Sequence, residues 1–248
     1  MLGWDRSQFI TRGRDTPPDG FDRDFAELVA RRVQREPVAM IVGHREFWNL
    51  EFEVTRDVLV PRPETELIIE IATELAAEGL VWRRIIDVGT GSGCLAISLA
   101  TEFPKAHVVA TDVSAAALAL ARRNAERHGV AGRLTFIQSN LLDDVRETAE
   151  LIVSNPPYLA DSDVAKLQPE VARYEPREAL VAGPDGLSVI RRLFETVPAR
   201  LAVGGRLVVE FGFGQAARVA ELASAHGWRV LDIRRDLQQI PRTIVLGR

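Results

Sequence analysis

The sequence predicts an α/β protein in which helices cover both faces of a mostly parallel sheet. From about Arg84 onward, short apolar runs alternate with helical patterns, and the runs are "RIIDVG", "HVVATD", "LTFIQS", "LIVSN" and "RLVVEFG". Strands that alternate with helices are typical of parallel sheets covered on both sides. Two last apolar runs, "WRVLDIRRD" and "RTIVLGR", are joined by a short turn near residues 238–241, which predicts an antiparallel pair at the sheet edge.

The chain before this alternating pattern is expected to form separate elements. Residues 22–36, "DRDFAELVARRVQRE", place apolar side chains at helical spacing. Residues 38–60 contain two apolar stretches around 43–49 that predict a β-hairpin. We therefore expect a helical region at 1–36, a hairpin linker at 37–63 and the main domain at 64–248.

The composition narrows the possible classes of protein. Of the 248 residues, 46% are hydrophobic, which is enough for a full core, and the net charge of −4 gives no sign of strong electrostatic binding to nucleic acid. The single cysteine, Cys94, excludes an internal disulfide and is interpreted as a small core residue. No apolar run could span a bilayer, and the charged N-terminus is unlike a signal peptide, so we expect a cytoplasmic protein. The four histidines lack ligand spacing, so no metal is predicted, and "ARRNAERHG" is predicted to be a solvated helix face.

A glycine-rich loop, "DVGTGSG" at residues 87–93, joins the first strand of the main domain to a helix. Glycines let a backbone approach a ligand closely, and the free N–H groups at a helix N-terminus suit an anionic group. A tight turn without a ligand would explain the loop equally well. Asp112 ends the next strand, where a carboxylate can accept both hydroxyls of a ribose, or can cap the helix that starts near Ser114. Together the loop and Asp112 favour a nucleoside-containing cofactor.

A second motif, "LIVSNPPYLA" at residues 151–160, ends a strand in a rigid polar corner. The Asn155 side-chain oxygen and the Pro156 carbonyl could accept both hydrogens of a planar –NH2 group, with Tyr158 offering a flat face. Such a nitrogen is a weak nucleophile, so it requires a strong electrophile, and the sulfonium methyl of S-adenosylmethionine fits. The alternative interpretation is a purely structural Pro-Pro turn.

The segments "VPRPETE", "DVGTGSG", "ATD", "VSNPPY" and "YEPREAL" occur in an order and at spacings that resemble the HemK/PrmC-type peptide chain release factor glutamine N5-methyltransferases. This resemblance implies the class I S-adenosylmethionine-dependent methyltransferase fold, which is Rossmann-like with a mostly parallel seven-stranded sheet, preceded by a helical region. It also implies methyl transfer from S-adenosyl-L-methionine to the glutamine side-chain amide in the Gly-Gly-Gln motif of class-1 release factors. "LGWDRSQF" resembles the middle of the family's N-terminal domain, so we expect that domain to be short here.

The resemblance also assigns site residues. The cofactor would contact Gly89, Thr90, Gly91, Ser92, Gly93, Asp112, Asn140, Leu141 and Asn155. Asn155, Pro156 and Tyr158 would be catalytic, and they would bind the glutamine together with Pro157, Arg62 and Glu64. The sequence departs from the family pattern at Met40, where a Tyr is usual, at Asn140, where an Asp is frequent, and near Gln239, where a Gly is frequent.

Other functions stay open at this point. A glutamine methyltransferase acting on a ribosomal protein would carry the same motifs. An amino-group methyltransferase acting on nucleic acid would need a basic surface or a target-recognition domain, and the sequence contains neither. A cofactor-binding module without catalysis is a third alternative. The expected partner is a class-1 release factor, with no nucleic acid and no membrane.

Overall fold

The computed structural model describes Trp4 and residues 6–248, and residues 1–3 and 5, which begin the predicted 1–36 region, lie outside the described part. Within it the helices are α1 (Arg6–Arg12), α2 (Phe21–Val33), α3 (Val38–Val42), α4 (Glu66–Ala77), α5 (Cys94–Glu102), α6 (Ala115–Arg127), α7 (Pro169–Tyr174), α8 (Ser188–Thr196) and α9 (Ala216–Ala225). The strands are β1 (His44–Phe47), β2 (Leu50–Glu53), β3 (Arg84–Val88), β4 (His107–Asp112), β5 (Leu134–Gln138), β6 (Ala149–Ser154), β7 (Leu201–Glu210), β8 (Arg229–Arg235) and β9 (Pro241–Gly247). These bounds confirm the predicted hairpin and the alternation of strands with helices.

Seven strands form the main sheet in the order β5-β4-β3-β6-β7-β9-β8. The pairs from β5 to β7 are all parallel, whereas β9 pairs antiparallel with both β7 and β8. The prediction of a mostly parallel seven-stranded sheet with an antiparallel pair at its end is therefore confirmed. Strand β8 forms the edge, and β9 is inserted between β8 and β7.

The central strands are buried on both faces, which explains their continuous apolar runs. Successive side chains of a strand point to opposite faces, and Ile85 and Ile86 of β3 enter two different core clusters. One cluster includes residues of α4 and α5, and the other includes residues of α8 and α9. Two packed layers of helix therefore cover β3 on both faces.

The β1–β2 hairpin packs into the main core. Phe47 and Phe52 are fully buried in the cluster shared with α4 and α5, so Phe47 is a core residue. Asn124 of α6 accepts a hydrogen bond from the Glu53 N–H at 2.8 Å and donates Nδ2–H to the Glu53 carbonyl at 3.1 Å and the Ser92 carbonyl at 2.9 Å. The interpretation of "ARRNAERHG" as a solvated face is therefore wrong at Asn124, which is buried because it joins the hairpin to the glycine loop.

Gln239 lies in the turn between β8 and β9, at the position near which the family pattern frequently has a glycine. Gln239 has a φ of 64°, in the left-handed region that glycine adopts at least cost. Its backbone N–H donates to the Asp236 carbonyl at 2.8 Å, so the backbone conformation is part of the turn. The glycine that the family pattern described above implies here would suit this conformation.

We expect Gln239→Gly to raise the free energy of unfolding by about 0.5–1 kcal/mol, because it relieves a left-handed non-glycine residue. Urea denaturation measures the change. Gln238→Gly is the matched control, since Gln238 is not among the residues with positive φ and a glycine there should destabilise the turn slightly. Equal effects of the two variants would contradict this explanation.

Candidate active site

The functional motifs meet because the strand register aligns the strand ends in one row. Val88 of β3 lies opposite Thr111 of β4 and Ser154 of β6, and Ser154 lies opposite Val209 of β7. Four residues of the site directly follow these four strand positions in the chain, namely Gly89, Asp112, Asn155 and Glu210. The carboxyl edge of a parallel sheet is where ligands bind in such folds.

The glycine loop is held from both ends by hydrogen bonds. The N–H groups of Gly89 and Thr90 donate to the Thr111 carbonyl at 2.9 and 2.8 Å. Beneath them, Oδ2 of the fully buried Asp87 accepts from Thr90 Oγ1 at 2.6 Å and from the Ala96 N–H at 3.1 Å. Burial raises the pKa of Asp87 to about 7, and its Oδ1 has no partner among the described residues. Asp87 therefore fixes the loop to the start of α5.

The three loop glycines serve two different purposes. Gly89 and Gly91 have φ values of 77° and 56°, and a Cβ added to either would meet open space. Both line a cavity at this edge of the sheet, which we call the first cavity. Gly93 has a φ of 85°, but a Cβ there would lie 2.9 Å from Ile97 Cδ1 and 3.1 Å from Ala121 Cβ. Gly93 is not among the lining residues, and the structure supports a packing role between α5 and α6, so its cofactor contact stays a prediction.

Asp112 receives one backbone hydrogen bond on each carboxylate oxygen. Gly91 N–H donates to Oδ2 and Ser114 N–H donates to Oδ1, both at 2.9 Å. The helix α6 is capped by Ser114, whose Oγ accepts from the Ala117 N–H at 3.1 Å, so Asp112 is not its N-cap. Burial raises the pKa of Asp112, with the backbone N–H groups opposing it. Because a carboxylate offers about four acceptor positions, each oxygen keeps one for a ligand hydroxyl.

The turn after β5 forms part of the wall of the first cavity. Asn140 and Leu141 line it, and Leu141 has a φ of 56°, which is rare for a branched residue. The turn is closed by hydrogen bonds from Asp143 N–H to the Asn140 carbonyl at 3.3 Å and from Asp144 N–H to Ser139 Oγ at 3.0 Å. Strain of this kind persists where the surrounding structure imposes it, often at ligand sites.

Most of the predicted site residues line one of the two cavities. The first is lined by Gly89, Thr90, Gly91, Ser92, Asp112, Asn140, Leu141, Asn155, Pro157 and Arg62. The second is lined by Asn155, Pro156, Pro157, Tyr158 and Arg62, with apolar walls from Leu167, Val171 and Leu180. Asn155, Pro157 and Arg62 border both cavities, so this is where two ligands would meet. Glu64 lines neither cavity, and its role in substrate binding stays a prediction.

Asn155 belongs to a chain of hydrogen bonds that ends at a buried acid. Its Nδ2 donates to Thr65 Oγ1 at 2.9 Å, and Thr65 Oγ1 donates to Glu210 Oε2 at 2.7 Å. The Tyr158 hydroxyl lies 3.5 Å from the other oxygen of Glu210. Asn155 Oδ1 is buried and has no hydrogen-bond partner among the described residues. A buried acceptor of this kind is costly unless a ligand supplies a donor.

Arg62 is held by an ion pair behind the corner. Its Nη2 lies 2.6 and 2.8 Å from the two oxygens of Glu175, whose side chain is 1% exposed. Burial raises the pKa of Glu175, and Arg62 opposes that rise. The pair fixes Arg62 at the border between the cavities.

Cys94 lies at the start of α5 and also lines the first cavity. Burial raises the pKa of its thiol to about 12, so it stays protonated at neutral pH and is a poor nucleophile. This agrees with the interpretation of Cys94 as a packing residue.

A family model described as "Methyltransferase small domain" matches residues 65–173, and one described as "PrmC N-terminal domain" matches residues 1–43. The release factor glutamine methyltransferase of Cereibacter sphaeroides is 45% identical over 92% of this chain and 80% of the relative. That of Burkholderia pseudomallei is 43% identical over 97% of this chain and 86% of the relative.

The chain belongs to the release factor glutamine methyltransferase family.

The fold is also that of solved methyltransferases. A 16S rRNA N2 methyltransferase from T. thermophilus, in complex with AdoMet and guanosine, superimposes with a TM-score of 0.57 at 17% identity, covering 83% of this chain and 50% of the other.

Over the described residues, no helix combines the length and apolar character needed to cross a membrane. The same residues contain no group of three or more His, Cys, Asp or Glu side chains placed to hold a metal ion.

Sequence reasoning missed several residues that shape the site of this family member. Glu210 was visible only as a charge at the end of the apolar run "RLVVE", whose strand residues 207–209 are fully buried. Gly212 and Gly186 make room for the corner, since a Cβ would lie 3.0 Å from Tyr158 Cδ2 and 2.5 Å from the Tyr158 carbonyl oxygen, respectively. No local pattern marked these two glycines.

We expect Gly93→Ala to destabilise the fold by about 2–5 kcal/mol, because a left-handed conformation and a steric clash add together. Gly91→Ala is the matched variant, with strain but no clash, and we expect a loss of about 1–2 kcal/mol. Denaturation in urea compares the two free energies of unfolding. A smaller loss in Gly93→Ala than in Gly91→Ala would contradict the division of roles.

Proposed function

We propose that this protein transfers a methyl group from S-adenosyl-L-methionine to the side-chain amide nitrogen of the glutamine in the Gly-Gly-Gln motif of class-1 peptide chain release factors. The two curated relatives carry the name release factor glutamine methyltransferase. The single observation that carries the proposal is Asn155 Oδ1, a buried and unpartnered acceptor at the border of two cavities. A primary amide donor is the group that this acceptor fits.

The residues around the first cavity fit the proposed cofactor. Open space above Gly89 and Gly91 admits a ligand that any larger side chain would block. Asp112 keeps acceptor positions for two ribose hydroxyls, and Leu141 offers an apolar face for the adenine. When bound, S-adenosylmethionine supplies an electrophilic methyl group on a positively charged sulfur.

The chain's own residues orient the nucleophile. Asn155 Oδ1 accepts one amide hydrogen and the Pro156 carbonyl accepts the other, which fixes the plane of the amide and favours a more tetrahedral nitrogen. Tyr158 lines the same cavity beside that plane. No general base is needed before attack, because the methylated nitrogen becomes acidic enough to lose its proton. Orientation of this kind is worth at most about 7–11 kcal/mol of the barrier.

We propose the same division of the chain that the sequence suggests, with a helical region at 1–36, a hairpin at 37–63 and the methyltransferase domain at 64–248. The helical region contacts α7, whose Val171 lines the second cavity. Arg32 and Arg35 of this region pair with Glu170 at 2.9 and 3.1 Å, and the Tyr174 hydroxyl donates to the Gln34 carbonyl at 2.8 Å. These contacts support a role for residues 1–36 in docking the protein substrate. A cytoplasmic location is part of the proposal, because release factors act with ribosomes there.

We expect Asp112→Asn to weaken S-adenosylmethionine binding by about 1.5–3 kcal/mol, because an amide replaces a charged acceptor that already serves two backbone N–H groups. Isothermal titration calorimetry measures the dissociation constant. Asp143→Asn is the control, since Asp143 sits in a nearby turn and forms an exposed pair with Arg192. Unchanged affinity in Asp112→Asn would remove the ribose assignment.

We expect Asn155→Ala to bind the cofactor nearly as well as wild type, but to transfer the methyl group at least about 10²-fold more slowly, since one fixed acceptor and the attack geometry are lost. Asn155→Asp should lie between the two, because its carboxylate accepts but stabilises the charged ground state. Mass spectrometry of a release factor after a single turnover measures the rate. Wild-type rates in Asn155→Ala would show that the corner is only structural, and an unmodified release factor with wild-type enzyme would contradict the proposed function.

A further inference from the structure

We propose that Glu210 is a positioning residue whose carboxylate sets the direction of the hydrogen bonds through Thr65, and so holds the Asn155 side chain with Oδ1 toward the substrate amide. This inference rests on the proposed function. Glu210 lies at the end of β7, in the same row as Asn155, and is 2% exposed. It does not line either cavity and so acts only through its neighbours.

The direction of these hydrogen bonds follows from which of the three groups can donate and which can accept. An ionised carboxylate only accepts hydrogen bonds, so Thr65 Oγ1 must donate its single hydrogen to Glu210 Oε2. The same oxygen can then only accept from Asn155, which turns Nδ2 toward Thr65 at 2.9 Å. Oδ1 is left pointing away from Thr65 as the free acceptor.

Thr65 is placed for this task rather than for helix capping. It precedes α4 in the N-cap position, yet its side chain makes no capping hydrogen bond. A threonine at a helix start ordinarily accepts from a backbone N–H two or three residues later. The hydroxyl is instead buried against Glu210, 145 residues away in the chain.

Protonation of Glu210 would remove the constraint. A carboxylic acid can donate to Thr65 Oγ1, which then donates to Asn155, and the amide turns its Nδ2 toward the substrate. The titratable and charged groups that interact with Glu210 are Tyr158, Glu64, Arg242 and the Cys94 thiol. Burial raises the pKa of Glu210 to about 7, with Thr65, Arg242 and Tyr158 opposing the rise and Glu64 adding to it. Because the carboxylate is the major form only above this pKa, the rate of methyl transfer should rise with pH through it.

The first experiment compares pH–rate profiles of single-turnover methyl transfer between about pH 6 and 9. Asp87 also has a pKa raised to about 7, so the discriminating result is the profile of E210Q. A glutamine amide does not titrate, and it can accept from Thr65 or donate to it, so it constrains the direction less than a carboxylate. We therefore expect E210Q to be about fivefold slower than wild type at high pH and to lose the fall in rate at low pH (the acid limb).

Three further variants test Thr65, the middle group in the chain of hydrogen bonds from Glu210 to Asn155. We expect T65V to lower kcat about tenfold with little change in KM and to lose the acid limb, because valine cannot form the hydrogen bonds that link Glu210 to Asn155. T65S keeps a hydroxyl and should restore both the rate and the limb. T243V is the matched control, since Thr243 lies opposite Glu210 across β7 and β9 and its buried hydroxyl has no partner among the described residues. Its rate and profile should equal those of wild type.

A second measurement needs no substrate. In ¹⁵N-labelled protein the Asn155 side-chain amide signal, assigned by its loss in N155D, should shift with pH in wild type with a midpoint near the pKa of Glu210. The signal should stay constant in E210Q. An acid limb that persists in E210Q, or an Asn155 signal that titrates there as in wild type, would overturn the inference. If the wild type methylated no release factor at any pH, the proposed function would fail and the Asn155 signal alone would decide the role of Glu210.

Discussion

The parallel register of β3, β4, β6 and β7 is the constraint on which both cavities depend. It places Gly89, Asp112, Asn155 and Glu210 one residue beyond a single row across the sheet. These strands are buried on both faces, and a slip of one residue would send every side chain to the other face. The packing of two helical layers therefore fixes the register, and the register fixes which chemical groups meet at the edge.

The same edge contains groups that cost stability. Asp87 and Glu210 are both buried, and the pKa of each is raised to about 7. Burying a carboxylate is unfavourable unless hydrogen bonds replace the lost water, and here Thr90 and Thr65 each supply one. Leu141 adds backbone strain in the wall of the first cavity. The extensive core of the central strands offsets these costs, which leaves the edge free to hold acids in fixed orientations.

Much of this fold and part of the site could be predicted from the sequence, because the informative residues are neighbours in the chain. The alternation of strands and helices is a local pattern, and Asn155 to Tyr158 form one continuous corner. Glu210 and Glu175 could not be assigned this way, because their partners Thr65 and Arg62 lie 145 and 113 residues away. The glycine loop could be located from its spacing, but only packing distinguishes a glycine that faces the cavity from one that faces another helix.

The two sides of the second cavity are held with unequal strength. Its corner is fixed by the buried network of Asn155 and by Arg62, which pairs with a carboxylate that is 1% exposed. Its outer wall, α7, is joined to the helical region by the hydrogen bond from Tyr174 to the Gln34 carbonyl and by the pairs of Glu170 with Arg32 and Arg35, two arginines whose side chains are 43% and 51% exposed. Exposed ion pairs contribute little, whereas removing one partner of a buried pair is costly. The corner that holds the proposed acceptor for the amide is therefore fixed more strongly than the outer wall that α7 forms.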